Sequence, residues 1–226
     1  MKLTADDIRK NYEFDAVGIT RHEEKTIIVL GIETEPDKNL DEFIGGDKEY
    51  ETWCFSGFNK YFSPVVDKFL FHFERDDKKA RPLEGYDKSI NMKELAVKAG
   101  IGIQGRNTLI ISERFQSRLR FRAVQTTLKI EPTGNGYYSK EKNVRCDDCR
   151  LCELVCPVEA LKDYKLPVPA LCLAHRQLTN RKPNLVRCNL CWRTCTKDLY
   201  WAKQKRLARD TIIKMMRPEY ENMYDQ

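Results

Sequence analysis

No part of this 226-residue chain is apolar for long. Its most hydrophobic run, residues 27–32, is far too short to cross a bilayer, which takes about 20 consecutive apolar residues. The opening MKLTADDIRKNYEFD has no apolar core of a signal peptide, and there is no twin-arginine leader. The expected location is the cytoplasm, with no membrane partner. Charge of one sign is not in large excess either. The formal net charge is +6 and is spread out, so it permits an acidic partner without arguing for one. Histidine is scarce, at three residues. His22 and His72 carry no visible partner, and His175, close behind Cys172, reads as packing or hydrogen bonding.

What the chain does have is cysteine. Eight of its nine cysteines lie between Cys146 and Cys195. A reducing cytosol keeps thiols free, so metal binding is the leading account of such crowding. The run CDDCRLCELVCP places Cys146, Cys149, Cys152 and Cys156 before a proline. This is the C-x-x-C-x-x-C-x-x-x-C-P form of bacterial ferredoxins, in which the fourth cysteine serves the other of two [4Fe-4S] clusters. A second set follows as Cys172, Cys188, Cys191 and Cys195. By the exchange rule, Cys146, Cys149, Cys152 and Cys195 hold one cluster, and Cys156, Cys172, Cys188 and Cys191 the other. The sets are uneven, since Cys172 stands well upstream and Thr196 replaces proline after Cys195. Structural zinc is the alternative, because paired C-x-x-C units also build zinc ribbons. Zinc gives no reason for a third cysteine at the same spacing followed by C-P. Cys54, alone among aromatics, reads as a small buried hydrophobe.

Hydrophobic content of 41% beside 33% charge allows one real core and a smaller satellite, hence one to two domains. TADDIRKNY reads as a helix capped by Thr4, with acidic residues in its first turn. FDAVGIT and KTIIVLGIE read as strands. Residues 37–50 read as a loop. Residues 61–74 carry Val65, Val66, Phe69, Leu70 and Phe73 at helical spacing, with Pro64 in the first turn. A second amphipathic helix runs over 91–98 and stops at Gly100. NTLIISERF and RAVQTTLKI read as two further strands. This alternation favours α/β layers. Residues 131–143 form a turn-rich linker, which sets the domain boundary: 1–140, then the cysteine module over 141–200, then a helix and tail over 201–226, basic near its start.

The segment KELAVKAGIGIQGRNTLIISERFQSRLRFRAVQTTLKI, residues 93–130, resembles the helix, glycine loop and strands of the epoxyqueuosine reductase family and the related reductive dehalogenases. The opening strand and the order of the cysteine module, with a lone cysteine before the last three, match as well. The resemblance implies a fold of mixed α+β or α/β class: a nitroreductase-like cobalamin-binding domain, then a ferredoxin-like module with two [4Fe-4S] clusters and a C-terminal helix. It implies an oxidoreductase in which clusters pass electrons to cobalt. Gly102, Gly105, Arg106, Asn107 and Thr108 match the family's glycine loop, where backbone approaches the corrin and Asn or Thr bonds its amide arms. Read by itself, GIGIQGRN is equally a structural loop, and it follows a helix, the wrong order for a dinucleotide turn.

The family's proton donor is an aspartate ahead of the glycine loop. Asp87 is the nearest candidate, although Lys88, Ser89 and Ile90 replace the small residues and proline expected after it. Tyr86 is the alternative donor, and a plain turn aspartate is a third reading. The implied partners are an external low-potential electron donor and a small-molecule or nucleoside-like substrate. A tRNA partner is less favoured, because the family's C-terminal helical-repeat domain has no counterpart after the cysteines. Two other functions stay open: a protein that reduces the corrinoid of a partner, and a ferredoxin-like carrier whose first domain is a docking module.

Overall fold

The computed structural model describes residues 3–35, 37–41, 56–75, 80–83, 91–138, 144–156, 158–168, 171–172 and 190–195. The chain divides into two compact units. One comprises Met1–Leu40, Phe58–Ile103 and Ile110–Ser139; the other comprises Asp41–Gly57, Gln104–Leu109 and Lys140–Gln226.

The first unit is organised by one central strand. β1 (Ala16–His22) and β2 (Lys25–Glu33) are antiparallel neighbours, and β2 pairs on its other edge with β6 (Leu119–Thr126). A short edge strand, β3 (Ala80–Leu83), completes the order β1-β2-β6-β3. The sheet is antiparallel throughout. The mixed class expected from the sequence therefore holds, while the alternating α/β layering does not describe the sheet. The β2 run Thr26–Ile32 is buried without interruption because the sheet is covered on both faces. Ile28, Leu30 and Ile32 join the core formed with Ile8 of α1 (Ala5–Asn11) and Val66, Phe69 and Phe73 of α2 (Ser63–Arg75). Ile27 and Val29 point the other way, to Leu95, Ala96 and Val97 of α3 (Met92–Lys98). The period-two alternation of side chains along a strand thus sorts one apolar run into two cores.

The helix boundaries follow from local chemistry. Thr4 caps α1 in a reciprocal capping box with Asp7, its hydroxyl accepting from the Asp7 N–H while the Asp7 carboxylate accepts from the Thr4 N–H. A π-helical turn, Phe58–Phe62, leads into α2, with Pro64 near the start of the α-helical part. Asn91 caps α3, and Gly100 takes φ +74° just past its end, a conformation that costs glycine little.

The reading of residues 107–115 as a strand is corrected. Only β5 (Ile110–Ile111) is extended there, laddered with β4 (Ile103–Gln104), and the chain then turns through a Ser112–Gln116 bridge. The following strand begins at Leu119 rather than Arg122. Residues 131–138 are turn-rich, yet they are tied down: the Thr133 hydroxyl donates to Ala99 O at 2.6 Å and accepts from the Ile19 N–H at 2.8 Å. Among the described residues no helix is long and apolar enough to cross a membrane.

Candidate functional site

The cysteine segment is a series of single helical turns. In α4 (Val144–Asp147) the Cys146 carbonyl accepts from the Cys149 N–H at 3.1 Å, so the chain turns tightly between two thiols. Arg150, at φ +50°, breaks the turn and starts α5 (Leu151–Leu154), which carries Cys152. α6 (Leu190–Thr194) carries Cys191, and the Cys195 N–H closes its last turn on Trp192 O at 2.9 Å. α5 packs against α6. Short turns with thiols three residues apart keep those thiols on one side of the chain.

The electrostatics show which thiols share a neighbourhood. Burial pushes the Cys152 thiol up, and the nearby thiols of Cys191, Cys195 and Cys146 push it further, because each disfavours a second negative charge beside it. Burial also raises Cys146, with Cys149 adding to it, while a hydrogen bond from the Arg106 backbone N–H and the charge of its guanidinium work the other way. Cys191, which the exchange rule places in the other set, thus stands in the same neighbourhood as Cys152 and Cys195. Cys156 accepts a hydrogen bond from the Ala160 N–H at 3.2 Å. Cys172 is half-buried, and Cys188 lies outside the described residues.

The donor set fits iron-sulfur ligation. Crowded, partly buried thiols cannot all ionise unless a cationic centre compensates them. Among the described residues of this unit, the buried Arg106 Nε and Thr194 Oγ1 are examples of polar atoms with no hydrogen-bond partner. Each would cost about 1–3 kcal/mol if left so, and thiolate or sulfide acceptors would satisfy such donors. Among the described residues no group of three or more His, Cys, Asp or Glu side chains is placed to hold a metal ion. A cluster does not require them to meet at one point, since each thiolate takes a different iron.

The glycine loop, residues 104–109, is part of this unit. It is closed by Gly105 N–H to Leu109 O at 2.8 Å and Thr108 N–H to Gly105 O at 2.9 Å, with Thr108 itself at φ +63°. The Gln104 amide donates to Tyr164 O at 3.0 Å. Asn107 is buried, donating to Cys191 O at 3.2 Å while its Oδ1 accepts from the Leu109 N–H at 3.1 Å. Arg106 Nη1 donates to Glu153 Oε1 at 2.8 Å and Asp163 Oδ1 at 3.1 Å, and its guanidinium lies 5.0 Å from the centre of the Tyr164 ring. Burial opposes the Arg106 charge, but the bonds to Glu153 and Asp163 outweigh it and raise its pKa. Burial likewise opposes the Glu153 charge, and the bonds from Arg106 and Arg150 overcome it and hold its carboxyl low. The Tyr164 hydroxyl donates to Asp147 Oδ1 at 2.7 Å.

In the first unit, a Cβ on Gly102 would lie 2.5 Å from Ile111 O, so backbone packing alone requires glycine there. Asp87, Tyr86 and Cys54 lie outside the described residues. Sequence reasoning passed over Glu153, Asp163 and Tyr164. The one available signal was an acidic residue, Glu153, set inside a run otherwise given to ligands.

The fold is that of epoxyqueuosine reductases and reductive dehalogenases. Epoxyqueuosine reductase from Streptococcus thermophilus superposes with a TM-score of 0.57 at 16% identity, over 87% of this chain and 65% of that one. A reductive dehalogenase whose structure suggests a mechanism for B12-dependent dehalogenation matches at 0.56 with 17% identity, over 91% of this chain and 34% of that one. In sequence, the tetrachloroethene reductive dehalogenase of Desulfitobacterium hafniense is 32% identical over 113 residues, 48% of this chain and 20% of that protein. The chain therefore spans 65% of the Streptococcus reductase and a fifth of the curated dehalogenase. No protein-family model matches it.

Proposed function

We propose that the chain is an oxidoreductase of the cobalamin and iron-sulfur kind, a reductase fed by two [4Fe-4S] clusters. The observation that carries this is the packing of α5, which bears Cys152, against α6, which bears Cys191 and closes on Cys195, in a chain whose fold is shared with such reductases. Cys146, Cys149, Cys152 and Cys195 would hold one cluster, and Cys156, Cys172, Cys188 and Cys191 the other. When bound, the clusters supply single low-potential electrons, and a corrinoid cobalt supplies the strongly reducing centre they feed.

The protein's own part is to shelter the thiolates, to hold the loop 104–109 in one shape and to donate a proton to the reduced substrate. Gly102, Gly105, Arg106, Asn107 and Thr108 are the loop residues assigned to the corrin, with Asp87 as proton donor and Tyr86 as the alternative. The substrate is small or nucleoside-like; one epoxyqueuosine reductase is known with an epoxyqueuosine-modified tRNA stem loop. An external low-potential donor supplies the electrons, and the setting is the cytoplasm.

Anaerobic reconstitution with iron, sulfide and cobalamin, followed by desalting and metal assay, tests this. About eight irons with one cobalt per chain supports it, and zinc in place of iron overturns it. Asp87→Asn or Tyr86→Phe should slow turnover about 100-fold or more if that residue is the acid. Normal turnover in both removes both assignments.

A second reading has its own support. Arg106 Nη1 and the Asn107 amide spend their hydrogen bonds on Glu153, Asp163, Cys191 and Leu109. A loop committed in this way suits a protein that delivers electrons to a corrinoid held by a partner. Full iron with no retained cobalt would favour that reading.

A further inference from the structure

We infer that Arg106 is a tuning residue for the cluster that Cys146 ligates, setting how readily it accepts an electron; this rests on the iron-sulfur reading above. Arg106 reaches the thiol region in two ways at once. Its backbone N–H is hydrogen-bonded to Cys146. Its guanidinium, only 12% exposed, holds Glu153, whose side chain is 10% exposed and which directly follows the ligand Cys152. Asp163, the second carboxylate on Nη1, is 67% exposed and largely screened by water. Glu153 is further fixed by Arg150 Nε at 3.0 Å and by the Asp163 N–H at 3.1 Å. The result is a fixed dipole of one half-buried cation and one half-buried anion beside two ligands of the same set.

The direction of its effect follows from charge. Reduction adds one negative charge to the cluster while the protein dipole stays in place. A nearby cation stabilises that added charge and a nearby carboxylate opposes it, and both are screened less than groups fully in water. Hydrogen bonds and net charge near the sulfurs are known levers on cluster potential. The Nε–H of Arg106, buried and unpartnered, is one more donor in that region.

The test is an EPR-monitored, dye-mediated reductive titration of the reconstituted full chain, wild type against Arg106→Gln, Arg106→Lys, Glu153→Gln and the double variant, with iron assayed in each. R106Q should make one cluster harder to reduce by at least tenfold in equilibrium constant, about 59 mV more negative for one electron. E153Q should shift it in the opposite direction. R106K should fall between wild type and R106Q, because it keeps the charge and loses the planar fork. The double variant, which replaces the ion pair with two neutral amides, should return to within about threefold of wild type. A merely structural role would weaken all four variants and give no sign reversal. If all variants hold wild-type iron and stay within threefold of the wild-type constant, the inference is wrong. If the wild-type chain holds no iron-sulfur cluster, the functional reading fails instead. Should R106Q alone lose its iron, the sign of the E153Q shift and the return in the double variant decide.

Discussion

Asn107 shows how a single side chain can settle a loop. Its amide joins the Cys191 carbonyl to the Leu109 N–H while almost completely buried. Asn107→Ala leaves both partners without it, at a cost of about 1–3 kcal/mol, which should lower the melting temperature by several degrees. Asn107→Asp should cost more, since it keeps the acceptor for Leu109 and turns a carboxylate oxygen toward the Cys191 carbonyl. A thermal melt of both variants checks the order. At Gly102, alanine would crowd the Ile111 carbonyl, and the expected loss is about 1–3 kcal/mol. The sequence pointed to these loop residues as special. It could not show that much of their role is internal, because the partners Glu153, Asp163 and Cys191 lie far along the chain and leave no local signature.

Elements whose boundaries are decided locally were the most legible. Thr4 and Asn91 were readable as helix starts and Gly100 as a stop, since caps depend on neighbours a few residues away. The Asp7 carboxyl is held below its ordinary value of 3.8 mainly by the hydrogen bond from the Thr4 hydroxyl, with the Thr4 N–H assisting. A carboxyl depressed in the folded state contributes stability above its unfolded value and loses it as pH falls through the folded one. Thr4→Ala should therefore move the Asp7 titration up toward 3.8, read by NMR, and weaken α1 at neutral pH. An unmoved titration would show that the cap does not control it. By contrast, β3 was invisible: its sequence ARPL is short and carries a proline, which only an edge strand tolerates. Residues 107–115 misled because an apolar triplet, Leu109 to Ile111, resembles a strand, while Ser112 and Gln116 close a turn directly behind it.

At the scale of the molecule, the two units follow different rules. The first is a two-sided sheet whose cores can be read from the period-two pattern of β2. The second is a set of short turns with few long elements among its described residues, and the proposed clusters would tie those turns together. Serine at Cys146 or Cys152 should cut reconstituted iron from about eight to about four per chain, whereas Cys54→Ser should leave it unchanged. Equal iron in all three variants would contradict the ligand assignment.

The second unit is also assembled from separate stretches of sequence, since residues 104–109 are grouped with residues 140 onward. During synthesis the ribosome delivers Gln104, Arg106 and Asn107 well before the first of these thiols emerges, so this part of the protein cannot finish folding as its own segment appears. A recombination joint at residue 140 would give a recipient gene all eight clustered cysteines without the loop that anchors them. Inheritance of a working module would require a joint upstream of Gln104, and β6 would travel with it.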